Sequence, residues 1–148
     1  MKTCALTGHR SLPPDFNANA VYDMLETLIR EGYDEFYCGM AEGFDLIALD
    51  CLVALKGRYH VRVVACIPFE GQEKAFAPME KKKYRDLLAW CEQKIVLFPS
   101  YRNGCYLVRD RYMVDRADAL LAYCTREKGG SAYTVKYANE KGIPVYRV

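Results

Sequence analysis

The chain lacks the patterns that mark several large classes of protein. It has no run near the roughly 20 apolar residues that a membrane-spanning helix needs. Its seven cysteines are odd in number and never spaced CxxC, which argues against a zinc site and a disulfide framework. The GxGxxG fingerprint of dinucleotide-binding folds is absent. A net charge of only +2 gives no electrostatic argument for a nucleic-acid partner.

What is present is typical of a globular chain. Its 148 residues are 51% hydrophobic and 27% charged, and they contain no repeat, linker or low-complexity segment. The N-terminal segment MKTCALTGHR reaches a charged turn before an export signal could form. We expect a single domain over residues 1–148, in the cytoplasm, with free thiols packed as small hydrophobic groups. The pattern predicts no metal or other cofactor.

Short apolar runs alternate with segments of helical periodicity. We expect strands at 3–7, 35–38, 60–67, 94–98, 118–124 and 144–148, with Pro68 ending the third. We expect a first helix that is capped by Asp15 or Asn17 and runs to about Arg30. We expect further helices at 44–57, 79–91, 106–117 and 132–141, the last capped by Ser131, and a loop at 69–78. This order predicts a three-layer α/β Rossmann-like fold, with a mainly parallel sheet of about six strands and helices on both faces.

The stretch at 35–50, EFYCGMAEGFDLIALD, indicates a strand, a glycine-rich turn and a helix. Gly39 and Gly43 would let a ligand approach the backbone there. The free amides and the dipole at the start of the helix would favour an anion. A tight turn whose glycines serve only the chain reversal is an equal alternative.

The loops that follow parallel strands meet at one edge of the sheet. Those after strands one, two, four and five carry arginines and glycine-rich turns, which suit a phosphate, and carboxylates, which suit ribose hydroxyls. The candidate ligand-binding residues are Thr7, Gly8, His9, Arg10, Gly39, Glu42, Gly43, Asp45, Arg109, Gly129, Gly130, Ser131 and Thr134. Solvated loops, plain turns and a dipole-favoured helix position for Asp45 are the structural alternatives. The basic run at 81–85 indicates a solvated helix face, with a nucleic-acid patch as the minority alternative.

Four motifs occur in order along essentially the whole chain. They are TGHR after the first strand, CGMAEGFDLIA after the second, VRDRYMVDRADALLAYC before a glycine pair, and KGGSAYTVKYANEKGIPV at the end. Together they resemble the SLOG superfamily, its small bacterial members above all. That superfamily is related to the Lonely Guy nucleotide-processing enzymes and to the DNA-processing protein A domain. The resemblance implies a Rossmann-like domain that binds a nucleotide or a nucleotide-derived ligand.

The resemblance also implies roles for individual residues. Arg109 stands where the Lonely Guy enzymes have an active-site arginine, and Met113 matches as well. Gly129 and Gly130 match the glycine pair of their phosphate-binding motif PGGxGTxxE.

The same motif shows departures that bear on catalysis. Lys128 replaces its proline and Ala132 its next glycine, and the position of its catalytic glutamate holds Val135 or Lys136. Glycosidic hydrolysis needs a carboxylate near the sugar. The departures argue against phosphoribohydrolase activity unless another carboxylate substitutes, the candidates being Glu42, Asp45 and Asp110.

Three functions therefore follow from the sequence. The first is binding or sensing of a small nucleotide-like ligand. The alternatives are hydrolysis of a nucleotide N-glycosidic bond and binding of single-stranded DNA, the latter disfavoured by the small net charge. We expect no membrane partner, and a homo-oligomer is compatible with the sequence.

Overall fold

The computed structural model describes all 148 residues. Its elements follow in the order β1 (Thr3–Gly8), α1 (Ala18–Arg30), β2 (Glu35–Cys38), α2 (Phe44–Leu55), β3 (Arg62–Phe69), a 3₁₀ helix (Gln72–Ala75), α3 (Pro78–Leu88), β4 (Gln93–Phe98), α4 (Cys105–Asp115), β5 (Ala119–Tyr123), α5 (Gly130–Lys141) and β6 (Val145–Arg147). Most predicted ends differ from the observed ones by one or two residues.

The six strands form one parallel sheet in the order β4-β3-β2-β1-β5-β6. From β1 the chain steps outward to β4, then crosses back to place β5 on the other side of β1. Helices α1, α2 and α3 pack in succession on one face, and α4 and α5 pack together on the other. The predicted α/β Rossmann-like fold is thereby confirmed. The reversal of strand order between β1 and β5 is where such sheets bind ligands.

Apolar layers fill both sides of the sheet. The larger layer contains Leu25 of α1 and Leu49 of α2, and the smaller contains Met113 of α4. Strands β1 and β5 are buried almost throughout, as central parallel strands should be.

All cysteines are free, and burial raises the pKa of Cys4 and Cys66 to about 12, so both pack as neutral thiols.

The prediction that Pro68 ends the third strand is wrong, because β3 runs to Phe69. The last pair between β2 and β3 is Cys38 with Ala65, so the end of β3 pairs with β4 alone. A proline there can point its missing donor away from the ladder. The predicted loop at 69–78 accordingly begins with a strand residue, and it also contains the 3₁₀ helix.

Helix α3 ends at Leu88, three residues before the predicted end at 91. The carboxylate of Glu92 accepts hydrogen bonds from the Val63 amide at 2.7 Å and from Lys56 Nζ. These bonds fix the chain as it enters β4, so the helix must end earlier.

Two predicted helix caps have different outcomes. Asn17 caps α1 as predicted, since its Oδ1 accepts a hydrogen bond from the Ala20 amide at 3.2 Å. Ser131 does not cap α5, which begins at Gly130 with Gly129 as its N-cap and no side-chain hydrogen bond. The start of α5 is therefore open at its first amides.

Candidate functional site

A cavity of about 530 Å³ opens at the carboxyl edge of the sheet, where strand order reverses. The loops after β1, β2, β4 and β5 meet there, as the strand order predicts. Nine of the predicted ligand-binding residues line it: Thr7, Gly8, His9, Arg10, Asp45, Arg109, Gly129, Gly130 and Ser131. Their contact with a ligand stays a prediction.

The other four predicted residues do not line the cavity: Gly39, Glu42, Gly43 and Thr134. Thr134 is completely buried, and its hydroxyl donates a hydrogen bond to the Gly130 carbonyl at 2.8 Å. This contact gives Thr134 a role in the first turn of α5 rather than a surface for a ligand.

The wall formed by the loop after β5 offers hydrogen-bond donors and positive charge. The amides of residues 130–132 have no acceptor in the protein, since the first bond of α5 runs from the Tyr133 amide to the Gly129 carbonyl. Arg126 and Lys128 are exposed and line the same cavity. Free amides at a helix start together with two cations suit a phosphate group.

His9 joins the first loop to the loop after β5. Its Nε2 accepts a hydrogen bond from the Thr125 amide at 2.9 Å, and its ring lies edge-on to Tyr123. Burial and the charge of Arg126 lower the pKa of His9. Accepting at Nε2 also requires the neutral ring. His9 therefore acts as a neutral positioning group, not as a cation for an anionic ligand.

Arg109 is held by the protein itself. It is 5% exposed, its Nε donates a hydrogen bond to Asp110 Oδ1 at 2.7 Å, and its Nη1 donates to the Gly39 carbonyl. Burial lowers the pKa of Arg109, but the charges of Asp110 and Asp45 outweigh burial and raise it, so the guanidinium stays charged. Its Nη2 has no acceptor in the protein. Arg109 thus organises the cavity floor and keeps one donor for a ligand.

Asp45 presents the one buried side-chain oxygen without a hydrogen-bond partner. Its Oδ2 accepts a hydrogen bond from the Ala41 amide at 3.2 Å, whereas Oδ1 has no partner. The residue is 5% exposed and lines the cavity. Burial raises the pKa of Asp45 to about 6, although Arg109 and the Ala41 amide lower it. An unpaired buried polar oxygen is costly, and a ligand hydroxyl would satisfy it.

The glycines of the two central motifs divide into two groups. A Cβ on Gly39 would lie 2.6 Å from Arg109 Nη1, and one on Gly43 would lie 2.6 Å from the His9 carbonyl oxygen. The protein's own groups therefore use the close approach that these glycines allow. A Cβ on Gly129 or Gly130 would meet nothing within 4 Å. Of the glycines in these two motifs, this later pair therefore leaves its backbone open to a ligand.

A second hollow of about 430 Å³ lies between α2 and α3. Arg10 lines both hollows. The one buried polar atom without a partner belongs to Asp45, which does not line the second hollow, and most residues lining that hollow belong to α2 and α3. The cavity at the sheet edge is therefore the stronger candidate site.

The side chains also bear on metals and membranes. No group of three or more His, Cys, Asp and Glu residues is placed to hold a metal ion. None of the helices combines the length and the apolar character that crossing a membrane requires.

The fold and the cavity define an α/β Rossmann-like domain whose candidate site lies where strand order reverses. Residues 16–144 match the model of the YspA SLOG family, and the chain belongs to that family. The resemblance to SLOG proteins seen in the four sequence motifs is confirmed.

Relatives and solved structures agree with this assignment. UPF0398 protein BH1768 of Halalkalibacterium halodurans is 26% identical over 157 residues, which cover 95% of this chain and 82% of that protein. The chain superposes on DNA processing protein A (DprA) of Streptococcus pneumoniae with a TM-score of 0.72 at 18% identity, covering 99% of this chain and half (50%) of that one. DprA of Helicobacter pylori, a protein described by its single-stranded DNA binding mode, gives a TM-score of 0.70 at 16% identity, with coverage of 99% and 64%. At these identities the structural likeness shows the fold alone.

Proposed function

We propose that this protein binds a nucleotide or a nucleotide-derived small molecule in the cavity at the sheet edge. One observation carries the proposal: Asp45, whose buried Oδ1 has no hydrogen-bond partner, lines the same cavity as the start of α5, where the amides of residues 130–132 are free. The carboxylate needs a donor such as a sugar hydroxyl, and the amides need an anion. A nucleotide carries both groups on one small molecule.

Charge in the cavity supports the same assignment. Arg10, Arg126 and Lys128 are exposed and line it, so they can approach a phosphate without the full cost of desolvation. A hydrogen bond to a charged group contributes about 1.5–3 kcal/mol. Loss of one such contact should weaken binding by roughly tenfold or more.

Isothermal titration calorimetry with AMP, ADP-ribose, NAD and inorganic phosphate tests the proposal. We expect binding of at least one nucleotide, and a loss of about tenfold in Lys128→Ala. Lys82→Ala is the matched control, since it removes the same charge from the exposed face of α3. Asp45→Asn should weaken nucleotide binding while leaving the affinity for phosphate unchanged. Absence of nucleotide binding at millimolar concentration would refute the proposal.

Single-stranded DNA is the second candidate ligand, because the fold matches that of the H. pylori protein described by that activity. The exposed cations of the cavity, beside the exposed Tyr101, would suit a DNA backbone and its bases. Fluorescence anisotropy with a labelled oligonucleotide tests it. Binding that weakens steeply with salt would favour it, and absent or salt-insensitive binding would exclude it.

Cleavage of the nucleotide's glycosidic bond is a reaction that the same complex could support. The observation in its favour is that Asp45 lines the cavity with a pKa raised to about 6, because a carboxylate with a raised pKa is a stronger general base near neutral pH. Release of free base from AMP, abolished in Asp45→Asn and in Arg109→Ala, would establish it. An intact nucleotide pool after prolonged incubation would exclude it.

A further inference from the structure

Two tyrosine rings and one phenylalanine ring form an aromatic wall at the end of the cavity nearest β4. Tyr101 and Tyr106 line the cavity, with ring centroids 6.2 Å apart, and Phe69 lies behind them. The Phe69 ring meets Tyr101 at 5.5 Å and Tyr106 at 6.0 Å, both edge-on. We call Phe69, Tyr101 and Tyr106 the aromatic wall.

Tyr101 is the exposed member of this wall. It is 60% exposed, although two neighbouring rings fix its position. The ring of Tyr106 already makes a cation–π contact with the protein, because the guanidinium of Arg10 lies 4.4 Å from its centroid. A large aromatic side chain that is held in place yet left uncovered beside a cavity is suited to contact with a ligand.

Strand order arranges three kinds of chemistry along the cavity. The free amides of residues 130–132 and the cations Arg126 and Lys128 follow β5, Asp45 follows β2, and Tyr101 follows β4. Arg109 contacts a neighbour of each of the last two residues, since its Nη1 donates to the carbonyl of Gly39, just after β2, and its guanidinium lies 5.9 Å from the Tyr106 ring. Along the cavity, the anion site is followed by the carboxylate and then by the aromatic surface. This is the order in which a nucleotide carries its phosphate, its sugar and its base.

We propose that the base of a nucleoside phosphate stacks on Tyr101 of the aromatic wall, while its phosphate lies at the start of α5. This inference rests on the proposed function and names the part of the ligand that the amides and Asp45 leave unassigned. Stacking on an aromatic side chain accepts any base, because every base has a π-face. Recognition by the wall would therefore select nucleotides over sugar phosphates.

Calorimetry with ribose 5-phosphate, UMP and AMP tests the inference on wild type, Tyr101→Leu and Tyr101→Phe. We expect AMP to bind at least about fivefold more tightly than ribose 5-phosphate in wild type. Tyr101→Leu, which keeps an apolar side chain without a π-face, should remove that advantage and leave ribose 5-phosphate unchanged. Tyr101→Phe should behave like wild type.

A fluorescent probe gives a second readout. The riboside 5-phosphate of 2-aminopurine should lose fluorescence on binding to wild type and to Tyr101→Phe, but not to Tyr101→Leu. Equal binding of AMP and ribose 5-phosphate to wild type would overturn this inference and leave the proposed function intact. Failure of all three ligands to bind would overturn both.

Discussion

Replacement of Asp45 by asparagine should stabilise the free protein at neutral pH. The ordinary pKa of an aspartate, 3.8, rises to about 6 here because burial disfavours the charged form. The difference between these pKa values corresponds to about 3 kcal/mol of unfolding free energy. Asparagine can keep the hydrogen bond from the Ala41 amide and carries no charge. The cost of the buried carboxylate should therefore disappear.

The sign of the effect fixes its pH dependence. Below pH 3.8 the carboxyl is protonated in the folded and unfolded chains, so it costs nothing. Between pH 3.8 and about 6 the unfolded chain loses the proton first, and the stability of the wild type falls as the pH rises. Above about 6 the full cost is present. The advantage of Asp45→Asn should grow through this interval and then level off.

Urea denaturation at pH 4 and pH 8 measures both free energies. We expect Asp45→Asn to exceed wild type by only about 0.6 kcal/mol at the lower pH and by up to about 3 kcal/mol at the higher pH. Asp50→Asn is the control, because Asp50 is exposed on the same helix. The variant should also bind nucleotide less well, because the substitution that stabilises the free protein removes the carboxylate proposed to contact the sugar. Equal or lower stability of Asp45→Asn at pH 8 would refute the reasoning.

Three glycine and threonine substitutions separate structural roles from ligand contact. Gly39→Ala should lower the free energy of unfolding by about 1–3 kcal/mol in urea, because its Cβ would lie 2.6 Å from Arg109 Nη1; Gly57→Ala, where the nearest atom is at 3.4 Å, should not. Gly130→Ala should keep the melting temperature of wild type, since its Cβ meets open space, but should weaken phosphate binding in calorimetry. Thr134→Val should cost about 1 kcal/mol of stability and leave ligand affinity unchanged, because only the bond to the Gly130 carbonyl is lost.

The periodicity of the apolar residues and the order of strands and helices along the chain predicted most of the fold. Apolar strands alternating with amphipathic helices permit few arrangements besides a parallel sheet with two helical layers, and right-handed connections bring the loops to one edge. The ends of elements were less predictable where tertiary contacts decide them. The course of β3 past Pro68 depends on where β2 stops, and the end of α3 depends on the bond from the Val63 amide to Glu92.

The sequence also indicated which loops converge, but not which side chains turn toward the cavity. Arg126, Lys128 and Tyr101 line it and lie within loops that the strand order had brought together, yet nothing in their local pattern distinguishes them from solvated residues. Gly39 is the opposite case, because the sequence indicated a ligand contact there. Its missing Cβ instead makes room for Arg109, which lies far along the chain. Contacts between distant segments, not local motifs, decide these cases.

The central claim is that separate loops of the sheet edge hold one anionic ligand. A structure of the protein with bound AMP tests it most directly. We predict phosphate oxygens within hydrogen-bond distance of the amides of residues 130–132 and a sugar hydroxyl on Asp45 Oδ1. Nucleotide density in the hollow between α2 and α3, or a cavity at the sheet edge that stays without ligand under saturating nucleotide, would contradict it.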